Sequence, residues 1–169
     1  MIPTETNLIE KDCLFTTLPD LYKEFEVRLK LKAFSFPAVW SNAIRLTVGG
    51  GDLGPHGTRI PAIFLKNNQN LYISFKISGN DNRNINFPIQ LNTLIELKIS
   101  QKKLPSQDGS YEYEISNNGT VVFNTVNELP EHFNEVKVYA SDSFYDPLDG
   151  VIQDLEVCTE AIAEEGMFN

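Results

Sequence analysis

Cysteine, histidine, tryptophan and methionine are all scarce in this chain of 169 residues, with two Cys, two His, one Trp and two Met. So few soft ligands leave a structural zinc site too little to build on. There is no G-x-S-x-G motif, and neither Cys has a neighbouring His or basic helix end to activate it, which removes the usual nucleophilic hydrolases. His56 and His132 each sit in a polar stretch and read as surface histidines. Basic charge is sparse as well. Against 23 acidic residues stand 14 Lys and Arg, a net charge of −9, and the longest basic cluster is Lys102-Lys103. Such a surface repels phosphate backbones, so nucleic acid and anionic membranes are poor partners. Apolar runs fall far short of the roughly 18 residues that a membrane span needs. Met1 leads into a polar stretch without the apolar centre of a signal peptide, which suits a cytosolic protein or a domain cut from a longer secreted precursor.

What the chain has in quantity is alternation. Glu24–Ala33 reads E-F-E-V-R-L-K-L-K-A, with apolar residues at the odd positions and charges at the even ones. That is a strand with one face in a core and one in water. Further strands are expected at Asn7–Thr16, Asn42–Val48, Ile60–Leu65, Leu71–Ile77, Thr93–Ser100, Asn134–Ala140 and Val151–Val157. Ser110–Asn124 reads as a hairpin turning at Asn117-Asn118-Gly119, because Asn-Gly suits the positive φ of a type I′ turn. Loops fall at Phe34–Ser41, at the glycine-rich Gly49–Gly57, at Ser78–Asn86 and at Ser141–Gly150. About ten strands with no helical period between them predict an all-β fold, an antiparallel two-sheet β-sandwich or jelly roll. Residues 1–158 are expected to form one domain and 159–169 a tail or linker, with Thr159 capping a single helical turn.

Two cysteines flank this array, Cys13 in the first expected strand and Cys158 just after the last. A disulfide between them would close the chain's ends; the alternative is two buried free thiols. Asn118-Gly119-Thr120 is an N-glycosylation sequon at the hairpin tip, although an Asn-Gly turn explains the same residues without sugar.

The segments Y-E-Y-E-I-S-N-N-G-T-V-V-F-N and F-N-E-V-K-V-Y-A-S-D-S-F-Y-D-P-L-D-G-V-I-Q-D-L-E-V resemble the concanavalin A-like lectin/glucanase superfamily, in particular its laminin-G-like jelly rolls. The opening N-L-I-E-K-D-C-L-F-T fits the same pattern, so the resemblance spans roughly residues 7–157. The E-x-D-x-x-E of that superfamily's glucanases is absent. The pairs Glu24/Glu26 and Glu112/Glu114 read instead as solvated strand faces, and no catalytic residue is expected. The resemblance implies a possible Ca²⁺ at the sandwich rim, where Asp81, Asp142, Asp146 and Asp149 lie in turn-rich segments with suitable oxygen donors. The same residues are also ordinary turn formers.

The expected function is a non-catalytic extracellular or cell-surface binding and adhesion module that recognises glycan or protein through rim loops. Its contacts would come from Trp40, Asp52, His56, Arg59, Asn80, Asp81, Asn82 and Arg83, which combine an aromatic platform with hydrogen-bonding groups. Trp40 has a second reading as core packing beside Phe34 and Phe36. The alternatives are a diverged glycan-active enzyme of the same fold and a structural interaction domain of a multidomain protein.

Overall fold

Alternation along the chain becomes two stacked sheets in the computed structural model, which describes residues 6–7, 10–49, 59–105 and 109–160. In chain order the strands are β1 (Thr6–Asn7), β2 (Leu14–Leu21), β3 (Glu24–Ala33), β4 (Trp40–Thr47), β5 (Ala62–Lys66), β6 (Asn70–Ile77) and β7 (Asn80–Pro88). They continue with β8 (Ile95–Lys103), β9 (Tyr111–Asn117), β10 (Thr120–Asn127), β11 (Phe133–Tyr139), β12 (Asp146–Pro147) and β13 (Gly150–Glu160). One sheet has the order β1-β13-β3-β8-β9-β10 and the other β2-β11-β4-β5-β6-β7. Pairing is antiparallel throughout except where the short β12 runs parallel to β4. The expected all-β sandwich is what forms, and no helix among the described residues is long and apolar enough to cross a membrane.

The core fills the space between the sheets as the alternation dictates. Phe25, Val27, Leu29, Leu31 and Ala33 of β3 all turn inward and meet Leu97, Ile99 and Ile115 of β8 and β9 in the same sheet. The opposing layer supplies Ile44, Leu46, Ile63, Leu71, Ile73, Phe75, Val136 and Val138. Two apolar faces packed against each other in this way exclude water without any helix. β3 lies between β8 and β13, with register pairs such as Leu29 with Leu97 and Val27 with Val157.

Four expectations need correction. Asn7–Thr16 is not one strand: Asp12 adopts a left-handed φ of 60°, β1 joins β13, and β2 joins β11 in the other sheet. Pro19 sits inside β2, an edge strand, where a missing N–H is tolerated. Ser78–Asn86 is largely strand rather than loop, since β7 pairs with β6 along its length and Ile85 and Phe87 pack on the core. At the other end Thr159 and Glu160 extend β13. The Thr159 hydroxyl donates to the Glu24 carbonyl at 3.2 Å and accepts the Tyr22 N–H at 2.7 Å, so it caps no helix.

The fourth correction is the disulfide. Cys13 is half-buried, Cys158 is exposed, and both are free. First and last strands are indeed neighbours, but that holds for β1 and β13. Cys13 lies beyond the crossing to the other sheet, where its N–H donates to the Ser141 carbonyl at 3.2 Å. Cys158 stands opposite Glu26 of β3.

Candidate functional site

Strands β4 to β7 send their aliphatic residues into the core and leave an aromatic and amide face outside. Trp40 opens β4, Phe64 lies in β5, Tyr72 and Ser74 in β6, and Asn82 and Asn84 in β7. Register brings them side by side, with Phe64 opposite Tyr72 and Ser74 opposite Asn84. Together with Arg59 and Tyr145 they line a groove of about 290 Å³.

The aromatic rings of the groove brace one another. Trp40 meets Tyr72 edge-on with centroids 4.8 Å apart and Phe64 at 6.2 Å, while Tyr145 packs on Phe64 at 5.0 Å. Edge-to-face contacts of this kind fix ring orientation and leave faces available for a ligand. The Arg59 guanidinium lies 4.9 Å from the Phe64 centroid. Its Nη1 donates to Asn82 Oδ1 at 2.8 Å and to Ser74 Oγ at 3.3 Å, and its Nη2 donates to the Tyr145 hydroxyl at 3.4 Å. With only 7 % of its surface exposed, Arg59 is a rigid, planar donor group rather than a waving surface cation. Lys66 adds a second cation, its Nζ 4.8 Å over the Trp40 ring.

No Asp, Glu, His or Cys stands among the described residues lining the groove. The polar groups described in the lining are a guanidinium, amides and hydroxyls, in a molecule whose net charge is −9. Such a surface can stack on a ring and satisfy hydroxyl or anionic groups. Its described lining residues include no carboxyl pair for acid and base work.

Three of the residues singled out in the sequence, Trp40, Arg59 and Asn82, converge here, on a sheet face rather than in rim loops. Trp40 is half-buried and outside the core cluster, so the reading that packed it beside Phe34 and Phe36 fails. Asn80 accepts the Asn82 N–H at 2.9 Å and shapes the start of β7. Asp81 pairs with Lys76 at 3.2 Å, and Lys76 also meets Glu131 at 2.7 Å. Arg83 turns away from the groove, with its guanidinium 5.9 Å from the Phe123 ring of β10. Asp52 and His56 lie outside the described residues. Phe64, Tyr72, Ser74, Asn84 and Tyr145 escaped the sequence reading. Tyr72 and Ser74 had a signal, because they alternate with Leu71 and Ile73 and so mark an outer face.

The carboxylates considered for calcium each face partners of their own. Asp142 accepts from Arg45 Nη1 at 3.1 Å and from the N–H groups of Phe144 and Tyr145, both at 3.0 Å. Asp146 pairs with Lys11 at 2.9 Å, and Asp149 accepts the Ser35 hydroxyl at 2.5 Å. Among the described residues no three His, Cys, Asp or Glu side chains group as metal ligands. Asn118 occupies the exposed hairpin tip with a φ of 50°. It exchanges two 2.8 Å bonds with Glu96, its N–H donating to the Glu96 carbonyl and its Oδ1 accepting the Glu96 N–H.

No protein-family description matches the sequence, and neither does any curated protein. Solved structures do match by shape. A native heptameric SAP-like pentraxin from Limulus polyphemus aligns over 94% of this chain and 76% of its own, with 13% identity and a TM-score of 0.57. The carbohydrate-binding module CBM40 of the Ruminococcus gnavus IT-sialidase, bound to α2,3-sialyllactose, aligns over 96% and 95% with 11% identity and a TM-score of 0.55. Domains LG4-5 of the mouse laminin α1 chain align over 95% of this chain and 44% of theirs, with 13% identity and a TM-score of 0.58. Other matches cover as little as 20% of a longer chain. Strand order and these alignments agree with the resemblance seen in the hairpin and closing strands: the fold is a jelly roll of the concanavalin A-like, laminin-G type.

Proposed function

We propose that this chain is a non-catalytic binding module that holds one sugar residue of a glycan in the groove over β4 to β7. The observation that carries the reading is the groove in which Trp40 and Tyr72 meet edge-on beside the Arg59, Asn82 and Ser74 hydrogen-bond network. A sugar presents an apolar C–H face and a rim of hydroxyls, which is what ring faces and amide groups complement. At about 290 Å³ the groove lies near the lower end of small-molecule sites, which run from roughly 300 to 1,000 Å³. A terminal residue therefore fits better than an extended chain. The Arg59 guanidinium against Phe64 and the Lys66 ammonium over Trp40 favour a sugar bearing a carboxylate or sulfate. The likeness to a carbohydrate-binding module supports the reading at the level of shape.

Extracellular or cell-surface placement belongs to the same proposal, supported by an exposed sequon at Asn118. The enzyme reading has less behind it, since hydrolysis of a glycosidic bond ordinarily needs two carboxyl groups flanking it and the described lining holds none.

Trp40 is the only tryptophan, so intrinsic fluorescence reports on the groove directly. Titration with sialyllactose, lactose and a sulfated disaccharide should give a saturable change in emission that is stronger for the anionic sugars. Replacing Asn84 with Ala should weaken binding while leaving the melting temperature close to that of the parent. A glycan array without signal, together with unchanged Trp40 emission for every sugar, would overturn the proposal.

A further inference from the structure

We propose that β10 is a self-association edge, through which two copies of this chain pair antiparallel about a twofold axis and join their six-stranded sheets into one. Among the described residues β10 ends its sheet and pairs with β9 alone. An end strand offers a row of backbone donors and acceptors on its open side, and proteins ordinarily blunt such edges with charge, proline or brevity. The other edges here are blunted in those ways. β7 carries Asp81 and Arg83 and ends at Pro88, β2 contains Pro19 and Asp20, and β1 is two residues long. β10 reads T-V-V-F-N-T-V-N, with no charge, no proline and no glycine. It also exposes apolar surface, with Val121 50%, Val122 39% and Val126 39% accessible.

Charge selects the occupant. A molecule of net −9 that meets its own copy through a charged surface sets acid against acid. Among the strands longer than two residues, β10 alone has no charged side chain, so it is where two copies approach without that cost. Antiparallel pairing about a twofold is self-complementary and turns Val126 of each copy towards the Val121–Val122 end of the other. A bulge between Val121 and Phe123 confines the regular stretch to Phe123–Asn127. Phe123 holds that stretch in place, packing 5.2 Å from Phe75. The sugar groove lies on the other sheet, so the pairing is independent of what the groove binds.

The test is sedimentation velocity over a concentration series, joined to hydrogen exchange of the β10 amides. A reversible dimer whose Thr120–Asn127 amides gain protection with concentration is expected. Val126→Lys and Asn124→Lys place lysines beside Glu112 and Glu114 of β9 within the sheet, so the fold should survive. In the dimer a lysine at 124 meets its own copy near the twofold and a lysine at 126 sets a charge against the apolar Val121–Val122 end, so each should weaken association by about tenfold or more. Val39→Lys, at an apolar site 62% exposed and outside the strands, serves as the control and should leave the dimer intact. A monomer at every concentration overturns the proposal. So does a dimer that survives both β10 lysines in the folded protein, or one lost equally in the control. Protection of β10 only on adding an extended foreign peptide would assign the edge to another chain and also overturn it.

Discussion

Arg45 and Asp142 form an ion pair 3.1 Å long with both side chains only 2% exposed. Asp142 Oδ1 receives the N–H groups of Phe144 and Tyr145, which seats Phe144 over Arg45 at 4.9 Å and Tyr145 against Phe64 at 5.0 Å. One carboxylate thus neutralises a buried cation and orders a loop that contributes to the groove.

Removing that carboxylate is the first prediction. Asp142→Ala removes one partner of the buried Arg45 guanidinium and frees two backbone donors, so stability should fall by up to the roughly 3–5 kcal/mol of a fully broken buried pair. Groove binding should weaken as well, because Tyr145 loses its anchor. The double variant Arg45→Met, Asp142→Leu should recover most of the stability and little of the binding, since the loop N–H groups still lack an acceptor. Urea unfolding of the three proteins checks the first statement and Trp40 titration the second.

Alkaline pH supplies the second. Burial drives the Tyr113 hydroxyl well above the ordinary value of 10.0. Tyr111 moves in the same direction, first through burial and then through the Glu24 charge. A raised value means that the folded state keeps a proton the unfolded state has released, so stability is complete below pH 10 and falls as pH rises beyond it. Tyr113→Phe keeps the ring stacked on Phe75, now 4.7 Å away, and removes the titrating group. Melting temperatures measured from pH 8 to pH 11 should therefore decline less steeply in the variant.

How far the sequence carried the structure differs between fold and groove. Glu24–Ala33 and Leu71–Ile77 declare themselves as strands because each has one dry and one wet face, a property of a single segment. The hairpin tip at Asn118-Gly119 is equally local. β7 was hidden because Asn80, Asn82, Asn84 and Asn86 look like turn formers, whereas their side chains occupy the outer face of a strand whose Ile85 and Phe87 point inward. Trp40, Arg59 and Asn82 could be picked out by residue type. Their meeting could not, because it depends on the β4-β5-β6-β7 register. Phe64 lies in an A-I-F-L run that shows no alternation from which to read a face.

The thiols give the third prediction. Titration of the unfolded, unreduced chain should find two reactive groups, since Cys13 and Cys158 are free. In the native protein the exposed Cys158 should react first and the half-buried Cys13 more slowly, because reaction rate follows access as well as thiolate fraction. Equal rates, or the absence of reactive thiols, would contradict the placement of β13.

Gly150 is the fourth. A Cβ there would run into the Lys32 carbonyl oxygen of the neighbouring β3, and the atoms it meets are backbone of Lys32 and Ala33, which have little room to yield. Gly150→Ala should cost about 1–3 kcal/mol, as overpacking does elsewhere. Gly119→Ala provides the contrast, since its Cβ meets nothing and its penalty comes only from a φ of 77°. Chemical denaturation of the two variants separates crowding from backbone strain.

β1 and β13 lie side by side, and their register has an engineering consequence. Thr6 stands opposite Ile152, while β13 runs on to Glu160 opposite Glu24. Eight residues of strand at about 3.4 Å each separate those two points by roughly 27 Å. A circular permutant that joins Thr6 to Glu160 therefore needs a linker of about eight residues or more, since an extended chain spans at most roughly 3.6 Å per residue. Such a linker would run along the six-stranded sheet. Partners fused at the two points would be held at opposite ends of a strand, with the groove-bearing sheet left uncovered between them.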